Sequence, residues 1–388
     1  PLAQIGKQRK KIAVCCRVAT DGACIQAPIR LYCPLTPNRS APGTDMETTL
    51  SNPPDSHDAT DALDEQALYS LVRRETRDAD EQAACLRDWD QVYEQLSPGQ
   101  FEGRFMEIRF RGIQLFREVT NQSVHEEGLM RAGERVLGVP VAMQGQGYFC
   151  GRPITPDAIM TMRGGEALEF SAPEHFDIVA VSFPVDALTR YARDIEHREI
   201  EAELQNVAVL QATKTAVDEF RGFLLTALES VSRTPAMLQF AAMQKGLEHA
   251  LLSSVVKTVG PVEDGRVPDT PTARHALVSR AQDYMRGHVD EPLTVEDLCR
   301  VLAVSRRTLQ YSFQEVLQIN PVSYLRAMRL NGVRRALKAA DPARQSVQDI
   351  AARWGFWHLS HFANDYRRMF GELPSETLRS SAHPARRI

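Results

Sequence analysis

The stretch LTVEDLCRVLAVSRRTLQYSFQEVLQINPVSYLR, residues 293–326, decides the fold of the C-terminal third, because the chain uses its pattern twice. The second copy reads QSVQDIAARWGFWHLSHFANDYRRMFGELPSETLR over residues 345–379. Thr294 aligns with Ser346, whereas Leu309 aligns with Phe362, so the second copy has one more residue at its bend. A repeat that keeps its apolar positions and its caps is a supersecondary unit used twice.

Both copies begin with a signal for the start of a helix. Thr294 and Ser346 can each accept a hydrogen bond from the backbone of a first turn. Asp297 and Asp349 follow three residues later and can reach back to the cap, which completes a capping box. We therefore expect a helix to start at each of these two positions.

The two helix-turn-helix units are predicted over residues 294–317 and 346–370. Helical spacing indicates which residues of the two first helices are buried; these are Leu298, Val301, Leu302, Ile350 and Trp354. Gly355 suits a bend that needs positive φ. The first unit has Ala303 there, which predicts a bend that is either less tight or slightly strained.

The second helix of each unit has an apolar face and an opposite polar face. Arginine pairs well with guanine, and asparagine or glutamine with adenine. The residues predicted to read bases are Arg307, Gln310, Tyr311, Gln314, Ser360 and Asn364. The arginines expected to contact phosphates are Arg306, Arg326, Arg329, Arg353, Arg367 and Arg368. A single amphipathic helix would fit an ordinary all-α domain, but two matched copies favour a DNA-binding module.

A family resemblance follows from these motifs. Residues 273–381 resemble the AraC/XylS family of bacterial transcription regulators. SRRTLQYSF at residues 305–313 is similar to the first recognition helix of that family. DIAARWGF at 349–356 and FG-x-x-P at 370–374 are similar to its second unit and closing motif. The motifs WGFWHLSHF and ELPSETL resemble regulators of the ethanolamine-utilisation type more than those of the sugar type.

The resemblance implies base-contacting roles for Arg307 and Tyr311 in the first unit and for Ser360, His361 and Asn364 in the second. It implies double-stranded DNA, a small-molecule effector and RNA polymerase as partners, and it leaves a homodimer open. A cupin-like effector-binding barrel is typical of the region before the DNA-binding domain.

Two departures from the family concern base preference. Gln318 stands where the family usually has glycine. Tyr311 and Asn364 stand where several members have arginine.

The charge of the chain is unevenly distributed. The formal net charge of the 388 residues is −4, which alone would argue against nucleic acid. Residues 271–388 hold 18 Lys and Arg against 11 Asp and Glu, whereas the remainder holds 28 against 39. A basic module joined to an acidic partner domain is the asymmetry expected of a regulator.

The first 45 residues show no clear periodicity. Met46 is followed by a polar, Pro-containing stretch, so we hypothesise that translation starts at Met46 and that residues 1–77 form a disordered tail. A metal-binding tail is the rival interpretation, but the cysteine spacing matches no zinc pattern. The cysteines concerned are Cys15, Cys16, Cys24 and Cys33.

The sequence also bears on the compartment. We see no apolar run long enough to span a membrane and no convincing signal-peptide core. Scattered cysteines do not suggest a disulfide framework. We therefore expect a cytoplasmic, nucleoid-associated protein.

Residues 78–257 are predicted to form the effector-sensing domain. A helix is expected over residues 78–94. Period-two segments separated by turn residues follow and predict a small barrel or sandwich; they read FEGRFMEIRF, IQLFREV, RVLGVPVAM, YFCGRPI, IMTMRGG, ALEFSAP and FDIVAVSF. The predicted fold class is therefore α+β, with a β-barrel or sandwich before an all-α double helix-turn-helix.

Three helical segments are predicted after the strands, over residues 186–204, 213–231 and 235–256. They either cover the barrel or serve as linker and dimerisation helices, as the family would imply. Residues 258–272 are rich in Pro, Gly and charge, which is typical of a linker before the DNA-binding domain.

The effector pocket is the least specified feature of the sequence. The candidates among the strands are Glu107, Arg109, Glu118, Tyr148, Arg163 and Glu169. An amine would favour a carboxylate and an aromatic ring, and an organic acid an arginine. Both kinds are present, so the sequence does not choose between these effectors.

An enzymatic or alkyl-acceptor domain fused to the DNA-binding module is the alternative to a sensor. It would use Cys85 or Cys150 as a nucleophile, but both lie in apolar patterns, which favours buried, inert thiols. His125 and His175 are too few for a metal site. We therefore predict no catalytic residue, no metal and no cofactor.

Overall fold

The computed structural model describes residues 69–210, 212–259, 272–289, 291 and 293–381. The predicted start at Met46, most of the tail and most of the 258–272 linker lie outside these residues. Tyr69–Thr76 is a strand paired along its length with Gly103–Phe110. The tail prediction was therefore wrong for these residues, because their apolar positions are paired in a sheet.

Twelve strands lie within the described residues of the β region, numbered here in chain order. They are β1 (Tyr69–Thr76), β2 (Trp89–Gln95), β3 (Gly103–Phe110), β4 (Ile113–Thr120), β5 (Val124–Met130), β6 (Glu134–Ala142), β7 (Gly147–Phe149), β8 (Arg152–Ile154), β9 (Ile159–Arg163), β10 (Ala167–Ala172), β11 (Phe176–Pro184) and β12 (Val209–Leu210).

Twelve α-helices are described alongside these strands. They are α1 (Ala79–Ala83), α2 (Val185–Glu196), α3 (Ile200–Glu203), α4 (Lys214–Arg233), α5 (Ala241–Val259), α6 (Ala273–Gly287), α7 (Val295–Leu302), α8 (Arg306–Leu317), α9 (Pro321–Ala339), α10 (Val347–Arg353), α11 (Leu359–Phe370) and α12 (Pro374–Ser381).

Two antiparallel sheets form the β region. The larger sheet has the order β1-β3-β4-β11-β6-β9-β12, and the smaller has the order β2-β5-β10-β7-β8. Apolar residues from both sheets share one core, for example Phe105, Phe116, Phe149 and Phe170. This two-sheet arrangement with a separate helical region confirms the predicted α+β class.

Residues 78–94 do not form one helix, so that prediction was wrong. Helix α1 ends after Ala83, and strand β2 pairs with β5, which supplies a partner for each of its residues. Tyr93 is fully buried, whereas Val92 beside it is 41% exposed, as alternation in a strand requires. The apolar residues of α1 and β2 together have a spacing that resembles the buried face of a single helix, although they belong to two different elements.

Strand β5 was also not predicted. Its sequence VHEEGLM places His125, Glu126 and Glu127 in succession, which does not read as a half-buried strand. All three side chains nevertheless form polar contacts with other side chains in the folded chain. The YFCGRPI segment is split into β7 and β8 by a turn at Cys150 and Gly151, both at positive φ.

Helices α2 to α5 cover the outer face of the larger sheet. Phe220 and Leu224 of α4 share a core with Leu115 and Val179 of that sheet. The helix predicted over residues 186–204 is interrupted at His197, whose φ is 54°. The segment predicted over 235–256 begins as a 3-10 helix and continues as α5. These helices cover the sheet, as one of the two interpretations expected.

The helical region follows the predicted repeat. Helices α7 and α8 form one helix-turn-helix unit, and α10 and α11 the other, with α9 between them. Both capping boxes are present. Leu298 and Ile350 are buried as predicted, but Val301 is 48% exposed, so its predicted burial was wrong. Within the described part of the chain, no helix is long and apolar enough to cross a membrane.

Candidate nucleic-acid interface

The first recognition helix, α8, separates its two faces cleanly. Leu309 and Phe313 are buried in the helical core, while Arg307 and Tyr311 point outward. Tyr311 is 55% exposed. The guanidinium carbon of Arg307 lies 4.9 Å from the centre of the Tyr311 ring, and Nη2 donates to the Tyr311 hydroxyl at 3.1 Å. This pair forms an exposed unit of guanidinium and phenol; Gln310 and Gln314 are exposed on the same helix.

The second recognition helix, α11, has the same division. Phe362 and Tyr366 are buried, and the rings of the two residues lie 5.7 Å apart between centroids. Ser360, His361 and Asn364 are exposed. The helix therefore presents a hydroxyl, an imidazole and an amide to solvent along one side.

Helix α9 holds the two units together. Tyr324, near its start, packs edge-on against Phe313 of α8, with centroids 5.6 Å apart. Further along, Gly332 lies directly beneath the indole of Trp354, at the end of α10. Contacts near the start and in the middle of α9 therefore join it to both units.

Five of the six predicted phosphate-contacting arginines are exposed, and the sixth, Arg329, is half-buried. The exposed ones are Arg306, Arg326, Arg353, Arg367 and Arg368. Arg306 forms an ion pair with Glu296 at 3.3 Å. Arg326 forms an ion pair with Asp365. Arg329 donates to the backbone carbonyl of Glu291 at 2.7 Å, and burial lowers its pKa.

The comparisons with known proteins agree with this geometry. A family model described as a helix-turn-helix domain matches residues 298–380. The probable thc operon regulatory protein of Rhodococcus erythropolis is 41% identical over 115 residues, which are 30% of this chain and 35% of that protein. The XylDLEGF operon transcriptional activator 2 of Pseudomonas putida is 33% identical over 99 residues, 26% of this chain and 63% of that protein.

The chain belongs to the AraC/XylS family. The match covers 35% of the length of the Rhodococcus protein and 63% of the length of the Pseudomonas protein. A crystal structure of a probable AraC family transcriptional regulator from Rhodopseudomonas palustris is 34% identical, with a TM-score of 0.26, and the match covers 27% of this chain and 97% of that one. The helix-turn-helix model over residues 298–380 and the two bacterial relatives identify the helical region as an AraC-type DNA-binding domain.

The six predicted effector residues lie in several different places in the fold, and Glu107 and Arg109 among them contact each other. Glu107 is buried in β3, accepts a hydrogen bond from the Gln114 side chain at 2.6 Å and pairs with Arg109 at 3.0 Å. Arg109 also pairs with Asp88. Arg163 is exposed. These charges are matched within the fold or face solvent.

Glu118 lies between the two sheets, apart from the ion pair of Glu107 and Arg109. It accepts hydrogen bonds from Gln82 at 2.9 Å and from the Tyr93 hydroxyl at 3.2 Å. Burial raises the pKa of Glu118 to about 7. Burial, followed by the charge of Glu118, also raises the pKa of Glu126 well above its usual value. Two buried carboxyl groups therefore face one small polar cluster.

Glu169 and Tyr148 lie on the smaller sheet. Glu169 contacts His275 of α6 at 3.0 Å, so it belongs to the contact between the sheet and the AraC-type domain. Tyr148 is half-buried on β7, opposite Ser171 of β10.

A polar network that the sequence did not reveal joins the smaller sheet to the AraC-type domain. His125 contacts Ser171 at 3.0 Å and Glu127 at 2.8 Å. The amide of Gln282 in α6 lies 2.8 Å from the His125 ring and 3.0 Å from the hydroxyl of Tyr324. Polar residues of β5, uninformative in the sequence, are partners of the helical region.

A second set of contacts reaches helix α9. Arg334 pairs with Asp78 at 2.5 Å, and Lys338 pairs with the same carboxylate at 2.7 Å. The Asn331 amide donates to the backbone carbonyl of Gln95 at 2.9 Å and accepts from its backbone N–H at 3.3 Å. Helix α9, which joins the two units, is thus anchored to β2 and α1.

A cavity of about 580 Å³ lies between the smaller sheet and the AraC-type domain. Ser171 and Gln146 line it from the β region, and Leu317, Arg326 and Arg368 line it from the helical region. None of the six predicted effector residues is among its described lining residues.

Proposed function

We propose that this protein is a sequence-specific DNA-binding transcription regulator that reads two adjacent major grooves with α8 and α11. The observation that carries the proposal is the pair of exposed polar helix faces, each backed by a buried core and both packed against α9. Recognition helices of this kind place their N-terminal residues against base edges.

The dimensions of α9 support reading of successive grooves. The helix has 19 residues, which corresponds to a length of about 28 Å. Successive major grooves on one face of DNA are about 34 Å apart. A rigid helix of this length suits two recognition helices that enter neighbouring grooves, with exposed arginines against phosphates.

Control by a small-molecule effector is the second part of the proposal. The cavity between the smaller sheet and the AraC-type domain is within the size range of small-molecule sites. A ligand there would contact both regions and would change how α9 is held. Contact with RNA polymerase, a homodimer and a cytoplasmic, nucleoid-associated location remain proposals that follow from the family.

The enzymatic alternative has no support in the chemistry of the thiols. Burial raises the pKa of both Cys85 and Cys150 to about 11. A thiol with such a pKa is protonated at neutral pH and is a poor nucleophile. We therefore propose a non-enzymatic regulator.

The test is genome-wide DNA selection with the full chain, repeated with a panel of amines and organic acids. We expect an enriched motif with two blocks about one helical turn apart, and a change in affinity with one class of compound. Absence of any enrichment by folded protein would overturn the DNA-binding proposal. Enrichment that no compound alters, followed by no effect of substitutions in the cavity, would overturn effector control alone.

A further inference from the structure

The bend of the second helix-turn-helix unit contains three aromatic residues, and they face different surroundings. Trp354 packs onto Gly332 of α9. Phe356 packs against Phe362, with ring centroids 5.0 Å apart. Trp357 is 77% exposed. Two of the aromatic rings therefore build the core of the unit, while the third contributes little to it.

Trp357 is also the additional residue of the second copy. In the first unit, Val304 is followed directly by Ser305, the cap of α8. In the second unit, Trp357 separates Phe356 from His358, the cap of α11. The first unit makes its bend without such a residue, so the geometry of the bend does not require an indole.

The position of Trp357 points to nucleic acid as its partner. The residue precedes the N-terminal end of α11, the end that approaches base edges in helix-turn-helix proteins. Ser360 and Asn364 are exposed along the same helix. Arg353 in the last turn of α10 and Arg367 in the last turn of α11 are exposed and provide positive charge suited to phosphates.

We infer that Trp357 is a further DNA-contacting residue, whose indole packs against the C5-methyl group of a thymine in the second half of the site. Apolar side chains in the major groove recognise this methyl group, which the other bases lack. The inference rests on the proposed DNA-binding function and extends it, because it assigns a base preference to a residue outside the polar faces of the recognition helices.

The chain offers a matched control for loss of an exposed aromatic ring. Phe240 is 64% exposed and lies next to α5, in the region that covers the larger sheet. Phe240→Ala removes a comparable surface without touching the AraC-type domain. Melting temperatures of both variants should match that of the parent, because neither ring is part of a buried core.

The experiment measures affinity for the selected DNA site and for duplexes in which single thymines are replaced by deoxyuracil, which lacks only the methyl group. For the parent and for Phe240→Ala, we expect one such replacement in the second half-site to weaken binding about fourfold. Trp357→Ala should bind the thymine duplex about tenfold more weakly, and it should bind the two duplexes equally well.

The outcomes separate this inference from the proposed function. If the parent selects no DNA, the proposed function fails. If the parent binds but Trp357→Ala retains the affinity of the parent, the contact is wrong. If Trp357→Ala binds more weakly but remains as sensitive to deoxyuracil as the parent, the thymine assignment is wrong.

Discussion

The indole of Trp354 occupies the space into which a side chain at Gly332 would project. Glycine in the middle of a helix is unfavourable, costing about 1 kcal/mol relative to alanine. Here it allows α10 to approach α9 closely, because no Cβ stands between the backbone of α9 and the ring. The second helix-turn-helix unit thus packs against α9 through the contact between Trp354 and Gly332.

Gly332→Ala should lower the free energy of unfolding. Overlap with the Trp354 ring is expected to cost about 1–3 kcal/mol and to outweigh the gain in helix propensity. Urea-induced unfolding of the full chain measures the difference. Gly246 lies in α5 with open space around the position of a Cβ, so Gly246→Ala is the control and should stabilise by up to about 1 kcal/mol. Equal effects of the two substitutions would contradict the packing argument.

The bends of the two units use the same backbone conformation with different residues. Ala303 has φ of 55°, and Gly355, its equivalent, has φ of 80°. Alanine is strained in this region, whereas glycine is not. An added Cβ at Gly355 would meet its nearest neighbour, Arg329, at ordinary contact distance of 3.7 Å, so substitution there tests the backbone alone.

Gly355→Ala should therefore destabilise the protein by about 1–2 kcal/mol. Ala303→Gly should stabilise it by less than about 1 kcal/mol, since the relief of strain is partly offset by greater freedom of the unfolded chain. Thermal unfolding of the two variants and the parent gives both values. A loss of stability in Ala303→Gly would show that the first bend is not strained.

The helical region could be predicted from the sequence because its signals are local. The caps at Thr294 and Ser346, the glycine at the second bend and the repeated apolar spacing each act within a few residues. Repetition then distinguished a double unit from unrelated amphipathic helices. The polar faces of α8 and α11 follow from the same spacing, whereas their contacts with DNA remain predictions.

Strands β2 and β5 could not be predicted in this way, because their partners are distant in sequence. His125 and Glu127 are satisfied by Gln282 and Arg286 of α6, and Glu126 by the cluster around Tyr93. No short-range sequence pattern predicts that charged and polar residues such as these are buried. The cavity could not be predicted for the same reason, since residues from both regions of the chain line it.

The ion pair between Asp78 and Arg334 should contribute to stability in a pH-dependent way. Burial raises the pKa of Asp78, but the charges of Arg334 and Lys338 outweigh it and hold the pKa below its usual value. The contribution is therefore present above the pKa of the unfolded state, about 4, and is lost as the pH falls below it. Asp78→Asn leaves two cations without this partner and should cost about 3 kcal/mol at neutral pH.

Asp80→Asn is the control for Asp78→Asn. Asp80 pairs with Arg335 at 2.8 Å, but about a third of each side chain is exposed, so its loss should cost less than about 1 kcal/mol. Denaturant unfolding at pH 7 and at about pH 3, which is below the unfolded-state pKa of aspartate, compares the two variants with the parent. A difference between Asp78→Asn and the parent that stays constant between these pH values would contradict the assigned linkage.

The buried carboxyl of Glu118 predicts the opposite dependence. Its pKa is raised from 4.5 to about 7 by burial, so the folded state holds a proton that the unfolded state releases. Stability should fall as the pH rises through this interval, by on the order of 3 kcal/mol. Glu118→Gln should remove the part of this fall that belongs to Glu118, because the amide cannot ionise, and should leave the part that belongs to the neighbouring buried carboxyl of Glu126. Glu102→Gln, at an exposed position of the β region, should leave the pH profile of the parent unchanged.

Substitutions in the second recognition helix distinguish base contacts from phosphate contacts. Asn364→Ala should relax the preference at one base pair, with a cost of about 1–3 kcal/mol for the preferred sequence. Tyr311→Ala should do the same in the first half of the site. Arg367→Ala should weaken all sequences alike and reduce the slope of log affinity against log salt by about one. Binding measured against a set of single-base variants at two salt concentrations tests these three variants together. Asn364 and Arg367 lie at neighbouring positions on the outward face of α11 and differ in the chemistry that they offer to DNA. If Asn364→Ala kept the base preference of the parent, the assignment of this face would be wrong. It would also be wrong if Arg367→Ala lost preference at one position only.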